Sequence, residues 1–328
     1  MMAHLMSRST VPRVPSRPYK STAISSQRGA RQNRADTKAD TSTSDRANLP
    51  VACVTPRGGS SQASNQVAMA LAGAGNTSPL PLASRVALVT GGSRGIGREV
   101  SSQLAALGAR VVINYASNSA RADELVAELA SRGHGAVAVR ADVSDPDAVR
   151  VLFDRAEEAF GSPPHIVVAC AGLLNAKYPA LADTAVEDFD AMFAVNVRGT
   201  FLVCREAASR IPANSGGRIV TFSSSIVGTL LPGYAAYTAT NAAVEAMTRI
   251  LAKEVAAKGV TANVVAPGPV RTELFFAGKD EAFVRKVEEH SMGRIAETTD
   301  VAPVVAFLAS DAAAWVNGQV IRVNGGFA

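Results

Sequence analysis

From Ser84 to the C-terminus, short apolar runs alternate with stretches that have the spacing of amphipathic helices. The runs are almost continuously apolar, which is typical of strands covered by helices on both faces. Strand–helix repetition with short connections predicts a single doubly wound α/β domain with a sheet of seven parallel strands. Helices are predicted over 95–107, 119–131, 145–159, 184–210, 237–258 and 298–309. The predicted strands are Val86–Thr90, Arg110–Asn114, Ala136–Ala141, His165–Ala169, Arg218–Phe222, Val260–Ala266 and Val320–Val323.

Residues 1–83 differ from residues 84–328 in composition and charge. They carry ten Arg and Lys against three Asp, whereas the rest of the chain has 23 basic and 25 acidic residues. The segment is rich in Ser, Thr, Arg, Ala, Pro and Gly and shows no apolar periodicity, so we expect a disordered extension. The same composition is typical of a transit peptide, and Val51-Ala52-Cys53 resembles the short motif near chloroplast processing sites. We expect a chloroplast location, or a cytoplasmic one if the extension does not target the chain.

The predicted domain, 84–328, is close to neutral, which argues against a nucleic-acid partner. The longest apolar stretch, 166–174, is shorter than the roughly 20 residues needed to cross a bilayer, so no membrane span is expected. The cysteines, Cys53, Cys170 and Cys204, have no paired spacing, and none of the four His lies in a metal-binding pattern. We therefore expect neither a disulfide framework nor a metal site.

A glycine-rich turn, Thr-Gly-Gly-Ser-Arg-Gly-Ile-Gly over 90–97, follows the first predicted strand and opens the first helix. Glycines let backbone N–H groups approach a pyrophosphate, whose charge the helix N-terminus stabilises. Glycines also serve ordinary tight turns, but this position in the first strand–helix–strand unit favours a dinucleotide. The predicted contacts in the turn are Gly91, Ser93, Arg94, Gly95, Ile96 and Gly97.

The end of the second strand indicates which dinucleotide binds. NAD sites place an acidic residue there, about 20 residues after the turn, to bind the ribose 2′-hydroxyl. This strand ends at Asn114, and Tyr-Ala-Ser follows with no carboxylate. The Arg94 guanidinium can bind a 2′-phosphate, although it could also simply cover a solvent-facing loop. We predict NADP(H) as the cofactor, with Asn114 among its contacts.

Further motifs lie downstream of the glycine turn. Tyr237-Thr-Ala-Thr-Asn241 opens a long helix, Ser224 lies 13 residues before Tyr237, Asn196 lies in a helical stretch, and Pro267-Gly268 follows the sixth strand. Together these motifs resemble the short-chain dehydrogenase/reductase family over essentially all of the predicted domain. The resemblance implies a Rossmann-type fold.

Within that family, three segments are similar to plant NADPH-dependent aldehyde reductase-like members, several of which are chloroplastic. The segments are 231–237, 243–248 and 266–270.

The resemblance implies roles for individual residues. Tyr237 would protonate the carbonyl oxygen as hydride arrives, and Ser224 would hydrogen-bond that oxygen, with Ser225 as the alternative. Asn196 would hold a water relay. The remaining positions implied to line the cofactor are Asp142, Val143, Ala171, Gly172, Tyr237, Asn241, Pro267, Gly268, Val270 and Thr272.

The main departure from the family is Asn241, which stands where the family has a catalytic Lys. An ammonium there would lower the tyrosine pKa from about 10 and bind the ribose. Asn can still hydrogen-bond the ribose but carries no charge. If the Lys contributes about 2–3 pKa units, its loss costs roughly 10²–10³-fold in rate, with reduction affected less than oxidation.

A second departure is Ala169-Cys170, where the family usually has two Asn residues. We expect a small effect, because apolar replacement of both polar partners is nearly neutral. Cys170 is interpreted as a buried small apolar residue.

The leading hypothesis is reduction of a small-molecule aldehyde or ketone by NADPH. The alternatives are a 3-oxoacyl-thioester reductase and a dinucleotide-binding pseudoenzyme. Relatives are commonly homo-tetramers or dimers, and the helices predicted over 184–210 and 237–258 would form the interfaces. Trp315 and the segment 274–276 would either line a substrate cleft or pack as core or lid.

Overall fold

A computed structural model describes residues 80–328 and contains one parallel sheet with strand order β3-β2-β1-β4-β5-β6-β7. Neighbouring strands pair in parallel register, for example Val89 with Ile113. The predicted seven-stranded, doubly wound fold is confirmed, and the strand ends differ from the predicted ones by at most one residue. The strands are β1 Val86–Thr90, β2 Arg110–Tyr115, β3 Ala136–Arg140, β4 Ile166–Ala169, β5 Arg218–Phe222, β6 Thr261–Pro267 and β7 Val320–Val323.

Helices cover both faces of this sheet. Some begin and end on clear local signals: Asp145 caps the helix that starts at Pro146, and that helix ends at Gly161 in a left-handed conformation. The helices are α1 Gly95–Ala106, α2 Ser119–Ser131, α3 Pro146–Phe160, α4 Val186–Met192, α5 Thr200–Arg210, α6 Ile226–Thr229, α7 Ala235–Glu254, α8 Glu273–Phe276, α9 Glu281–His290 and α10 Thr298–Ala309.

Two predicted helices differ from the structure. The helix predicted over 184–210 consists of α4 and α5 joined by a π-helical segment, Phe193–Gly199, in which the backbone ladder widens around Asn196. The helix predicted over 237–258 begins two residues earlier, at Ala235. It ends at Glu254, and a separate 3₁₀ turn follows over Ala256–Lys258.

The apolar core forms two clusters, one on each face of the sheet. In β1, Ala87 and Val89 belong to the cluster under α1 and α10, whereas Val86 and Leu88 belong to the cluster under α3 and α5. All four side chains are fully buried. Burial on both faces explains why the strand sequences are continuously apolar.

A residue just before the predicted boundary at Ser84 contacts the folded domain. Leu82 is fully buried in the first cluster, and its N–H donates to the Leu107 oxygen at 2.9 Å. Leu82 packs because it meets the end of α1, a contact that periodicity does not reveal. The rest of the predicted extension, with its transit-peptide features and Cys53, lies outside the described residues.

Within residues 80–328, no helix is long and apolar enough to span a membrane. The same residues contain no group of three or more His, Cys, Asp or Glu side chains placed to hold a metal ion.

Candidate active site

A cavity of about 850 Å³ opens at the carboxyl ends of the strands. It lies where the chain order reverses between β1 and β4, which is the usual ligand-binding crevice of an open α/β sheet. Residues that follow β1, β2, β4, β5 and β6 meet there with the first turns of α7. Every residue that the sequence assigned to catalysis or cofactor binding lines this cavity.

The glycine turn after β1 is shaped for close backbone approach. A Cβ on Gly97 would lie 2.3 Å from the Gly91 oxygen, and Gly91 itself has a left-handed φ of +62°. The N-cap residue of α1 is Arg94, and its side chain makes no capping hydrogen bond. The first N–H groups of the helix therefore have no side-chain capping partner. Together these features form a cradle for an anionic phosphate.

Asn114 holds this turn against the sheet. Its buried side chain accepts from the Gly91 N–H at 3.4 Å and donates to the Ala141 oxygen at 3.0 Å. The amide thus joins β1 to the end of β3 and positions the cavity wall. Next to it, the Asp142 carboxylate accepts from both the N–H and the hydroxyl of Ser144.

Two guanidiniums converge beside the glycine turn. Arg121 in the first turns of α2 contacts Glu273 at 2.6 Å, and Arg94 contacts the same carboxylate at 3.5 Å. The hydrogen bond to Glu273 raises the pKa of Arg121, and the hydrogen bond from Arg121 lowers the pKa of Glu273. Sequence reasoning missed Arg121 and Glu273, although the place of Arg121 just after β2 was an available signal.

The wall after β4 is tied to β1. The Thr90 hydroxyl accepts from the N–H groups of Cys170 and Ala171 at 3.0 and 3.1 Å. Burial raises the pKa of the Cys170 thiol to about 12, which supports its interpretation as an unreactive apolar residue. Gly172 continues this wall.

Asn196 lies at the centre of the π-helical segment. Its side-chain oxygen accepts from Leu173 N–H at 2.7 Å, and its amide donates to the Leu173 oxygen and the Thr240 hydroxyl at 2.9 and 3.1 Å. Both amide protons are therefore used by the protein. A water held by the Asn196 side chain must therefore donate to its oxygen.

Tyr237 lies in the first turn of α7 and faces the cavity. Burial raises the pKa of its phenol, and hydrogen bonds with the side chains of Asn241 and Ser224 offset only part of that rise. The cavity thus contains a phenol that is held in its protonated form at neutral pH.

The three consecutive serines after β5 have different hydrogen-bond partners. Ser223 donates to Glu245 at 2.9 Å, and buried Ser225 donates to the Ala266 oxygen at 3.2 Å. Ser224 instead accepts from the Ile226 N–H at 3.3 Å, and it lies close enough to Tyr237 to lower the pKa of that phenol. Of the two serines that the sequence left open, Ser224 is the one beside the phenol.

The loop after β6 closes the other side of the cavity. The Pro267 oxygen accepts from the Ser225 N–H, and Val270 forms a parallel bridge with Ala296. The Thr272 hydroxyl caps α8 by accepting from the Phe275 N–H at 3.2 Å. Gly268 also lines this wall.

The cavity extends beyond the predicted residues into an apolar and aromatic end. Leu274 and Phe275 of the 274–276 segment line this end, whereas Phe276 does not, and Trp315 is 99% exposed and does not line the cavity. Other residues of this end were not identified from the sequence, because they come from separate segments: Leu231, Tyr234, Lys279 and Phe283.

Comparison with known proteins identifies the family. Residues 91–328 match the family described as "Enoyl-(Acyl carrier protein) reductase". The chain is 52% identical over 259 residues to "NADPH-dependent aldehyde reductase-like protein, chloroplastic" of Arabidopsis thaliana, covering 76% of this chain and 96% of that protein. It is 54% identical over 252 residues to "Short-chain type dehydrogenase/reductase" of Picea abies, covering 75% and 93%.

Solved structures show the same similarity. A short-chain dehydrogenase from Burkholderia cenocepacia, in complex with NADP, is 36% identical, with a TM-score of 0.70 over 75% of this chain and 99% of that one. A blue fluorescent protein from a metagenomic library, in complex with NADPH, is 37% identical, with a TM-score of 0.70 over 76% and 99%. This chain therefore belongs to the short-chain dehydrogenase/reductase family.

Proposed function

We propose that this protein reduces an aldehyde or ketone by hydride transfer from NADPH. The observation that carries the proposal is the pairing of Tyr237 with Ser224 in the cavity that also contains the glycine turn. A proton donor and a dinucleotide cradle in one cavity are the two requirements of carbonyl reduction. The names of the relatives, which include NADPH-dependent aldehyde reductases, support the same activity.

The residues present fit a 2′-phosphorylated dinucleotide. The glycine turn and the uncapped N-terminus of α1 suit a pyrophosphate, and Arg94 with Arg121 suits the 2′-phosphate. No carboxylate at the end of β2 opposes that phosphate. Asp142 and Val143 would line the adenine end, and Ala171, Gly172 and the 267–272 loop the remaining length. When bound, NADPH supplies the hydride.

The chain's own residues handle the proton. Tyr237 donates its phenolic proton to the carbonyl oxygen, and Ser224 hydrogen-bonds that oxygen as negative charge develops. Because burial raises the pKa of Tyr237, the acid form needed for reduction is present at neutral pH. Asn196 acts as a positioning residue by holding the backbone of Leu173 beside the cavity.

The test uses the full chain and two measurements. NADPH and NADH are titrated by fluorescence, and aldehyde-dependent NADPH oxidation is then followed with a panel of small aldehydes. We expect tighter NADPH than NADH binding, and a loss of turnover in Tyr237→Phe without loss of NADPH binding. Equal turnover in Tyr237→Phe would contradict the role of the phenol, and no binding of either nucleotide would reject the proposal.

The same assay separates the alternatives. Turnover with acyl-carrier-protein thioesters in preference to free aldehydes would favour the 3-oxoacyl-thioester reductase. NADPH binding without turnover of any carbonyl compound would favour the pseudoenzyme.

We also propose a homo-oligomer, a dimer or tetramer, assembled through α4, α5 and α7. Large apolar side chains on these helices support it, with Phe201 48% and Ile250 59% exposed. Light scattering of the parent and of Phe201→Glu tests the proposal, because a charge in the interface should dissociate the oligomer. A monomeric parent would contradict it.

We propose chloroplast targeting by the basic, acid-poor first 83 residues, and two relatives named as chloroplastic support this. Fusion of residues 1–83 to a fluorescent protein tests it in plant cells. Diffuse cytoplasmic fluorescence would contradict targeting.

A further inference from the structure

Lys279 places an ammonium group at the aromatic end of the cavity. It lies in the short connection between α8 and α9, and its side chain lines the same cavity as Tyr237. The ammonium donates to the Phe275 oxygen at 2.6 Å and to the Tyr178 hydroxyl. An ammonium has three donors, so these two bonds leave one for a ligand.

Four aromatic rings surround this ammonium. The Nζ atom lies 4.5 Å from the ring centroid of Tyr178 and 4.8 Å from that of Phe275. The centroids of Tyr234 and Phe283 lie at 5.8 and 5.9 Å. The rings come from three segments of the chain and hold the cation within the wall of the apolar end of the cavity.

The charge of Lys279 is not balanced by an acidic side chain. Each of the other basic residues that line the cavity pairs with a carboxylate: Arg94 and Arg121 with Glu273, Arg98 with Glu124 and Glu128, and Arg271 with Glu288 and Glu297. Lys279 forms no such ion pair within residues 80–328. Its neighbour Asp280 instead caps α9 by accepting from the Phe283 N–H at 2.8 Å.

Burial also shifts the pKa of the Lys279 ammonium. Desolvation lowers the pKa of Lys279 to about 8, as expected for a cation withdrawn from water without a counter-charge. Protein interiors retain an unpaired charge only where another interaction compensates it. The aromatic rings and the two hydrogen bonds supply part of that compensation, and an anion in the cavity would add to it.

The cation is connected to the reaction site through Tyr234. This residue precedes Tyr237 by three positions, and its ring lies 4.8 Å from the Tyr178 ring that also contacts Lys279. A substrate whose carbonyl group reaches Tyr237 and whose other end extends along Tyr234 would meet the ammonium.

We infer that Lys279 binds a carboxylate of the substrate, so that the preferred substrates are aldehydes or ketones that carry an anionic group on an apolar body. The inference deepens the proposed carbonyl reduction and rests on it. Lys279 is a specificity-determining residue, because it contacts the part of the substrate that does not react. Its contribution should appear as a preference for the acid over the matching neutral ester.

The test compares formyl-substituted aromatic carboxylates of increasing length, beginning with 4-formylbenzoate, with their methyl esters. In the parent we expect kcat/KM for the best acid to exceed that for its ester at least ten-fold. Lys279→Met should remove this preference by lowering kcat/KM for the acid about ten-fold more than for the ester, whereas Lys279→Arg should retain part of the preference. Lys286 is an exposed lysine on α9 that does not line the cavity. Lys286→Met is therefore the control for net charge.

Two results would overturn the inference. One is an equal loss for acid and ester in Lys279→Met, which would show that the lysine only holds the loop. The other is the absence of any acid preference in the parent across the series. Melting temperatures of all variants identify any that fail to fold.

A binding experiment keeps this inference separate from the proposed reduction. The affinities of 4-(hydroxymethyl)benzoate and its methyl ester are measured by calorimetry for the parent and Lys279→Met, both saturated with NADP⁺. Tighter, Lys279-dependent binding of the acid without turnover would reject the reduction and support the anion site. Turnover of neutral aldehydes without Lys279-dependent binding of the acid would support the reduction and reject the anion site.

Discussion

The side-chain amide of Asn241 donates to the main-chain oxygen of Tyr237 at 2.8 Å. Asn241 is buried and stands four residues after the phenol on the same face of α7. The position at which the family resemblance implies a lysine therefore holds a neutral amide partly bonded to the helix backbone.

Restoring the cation should change the rate. In Asn241→Lys an ammonium beside Tyr237 would lower the phenol pKa, and we expect alcohol oxidation to rise by roughly 10²–10³-fold and reduction by less. The measurement is kcat/KM in both directions. Ala242→Lys places a charge on the adjacent exposed position and should change neither. Comparable rates in the parent and Asn241→Lys would show that this position is unimportant, and an inert parent with an active Asn241→Lys would identify a pseudoenzyme.

The two reaction directions should depend differently on pH. Because the pKa of Tyr237 is raised, the phenol stays protonated through the neutral range, and reduction should not fall as a result of its titration. Oxidation needs the phenolate, whose fraction rises about ten-fold per pH unit below the pKa. We expect the logarithm of the oxidation rate to rise with a slope near one between about pH 7 and 9. A plateau within that range would indicate a lowered pKa instead.

Glu273 should compete with the cofactor phosphate for Arg94 and Arg121. Glu273→Gln frees both guanidiniums, so we expect the Kd for NADPH to fall several-fold and that for NADH to stay constant. Arg121→Gln should raise the NADPH Kd on the order of ten-fold without affecting NADH. Glu281→Gln on α9, where the carboxylate pairs with Arg285, is the matched control. Equal changes for both nucleotides would place the 2′-phosphate elsewhere.

Alanine substitutions of the two adjacent serines should affect different properties, catalysis at Ser224 and stability at Ser225. Ser224→Ala removes the hydroxyl beside Tyr237, and we expect a loss of about 10²-fold in kcat with little change in stability. Ser225→Ala removes a buried bond to the Ala266 oxygen and should cost about 1 kcal/mol in the free energy of unfolding. Steady-state kinetics and urea denaturation measure the two effects. A larger kinetic defect in Ser225→Ala than in Ser224→Ala would assign the catalytic role to Ser225 instead.

Leu82 should stabilise the domain although it precedes the predicted boundary. Leu82→Ala leaves a cavity in the first core cluster and should lower the free energy of unfolding by about 2–5 kcal/mol. Leu80 is 53% exposed, so Leu80→Ala should have a much smaller effect. Equal effects in urea denaturation would mean that burial does not govern this segment.

Much of the site could be predicted because its signals are local in sequence. The glycine turn needs residues without a Cβ, as Gly97 shows by its contact with Gly91. The four-residue spacing of Tyr237 and Asn241 places both on one face of a helix. The location of these residues in one cavity was predictable from strand order, because parallel strands bring their carboxyl ends to one edge.

Other features could not be predicted from local patterns. A run of three serines offers three equivalent hydroxyls, and only their partners, Glu245, Tyr237 and the Ala266 oxygen, distinguish them. Local patterns did not indicate the π-helical segment around Asn196, which was predicted as part of one continuous helix. Its widened ladder accompanies contacts with Leu173 and Thr240, which lie 23 and 44 residues away in the chain.

The sequence by itself determined the parallel sheet and the dinucleotide cradle, because burial on two faces and missing side chains are properties of neighbouring residues. The family resemblance, and not spacing, indicated the phenol. Only the tertiary structure decided that Glu273 pairs with two arginines and that Lys279 lies among four rings. Tyr178 is 101 residues from Lys279 in the chain, and no local sequence pattern indicates that the two side chains are in contact. Such contacts depend on how distant segments pack, and therefore on the whole fold.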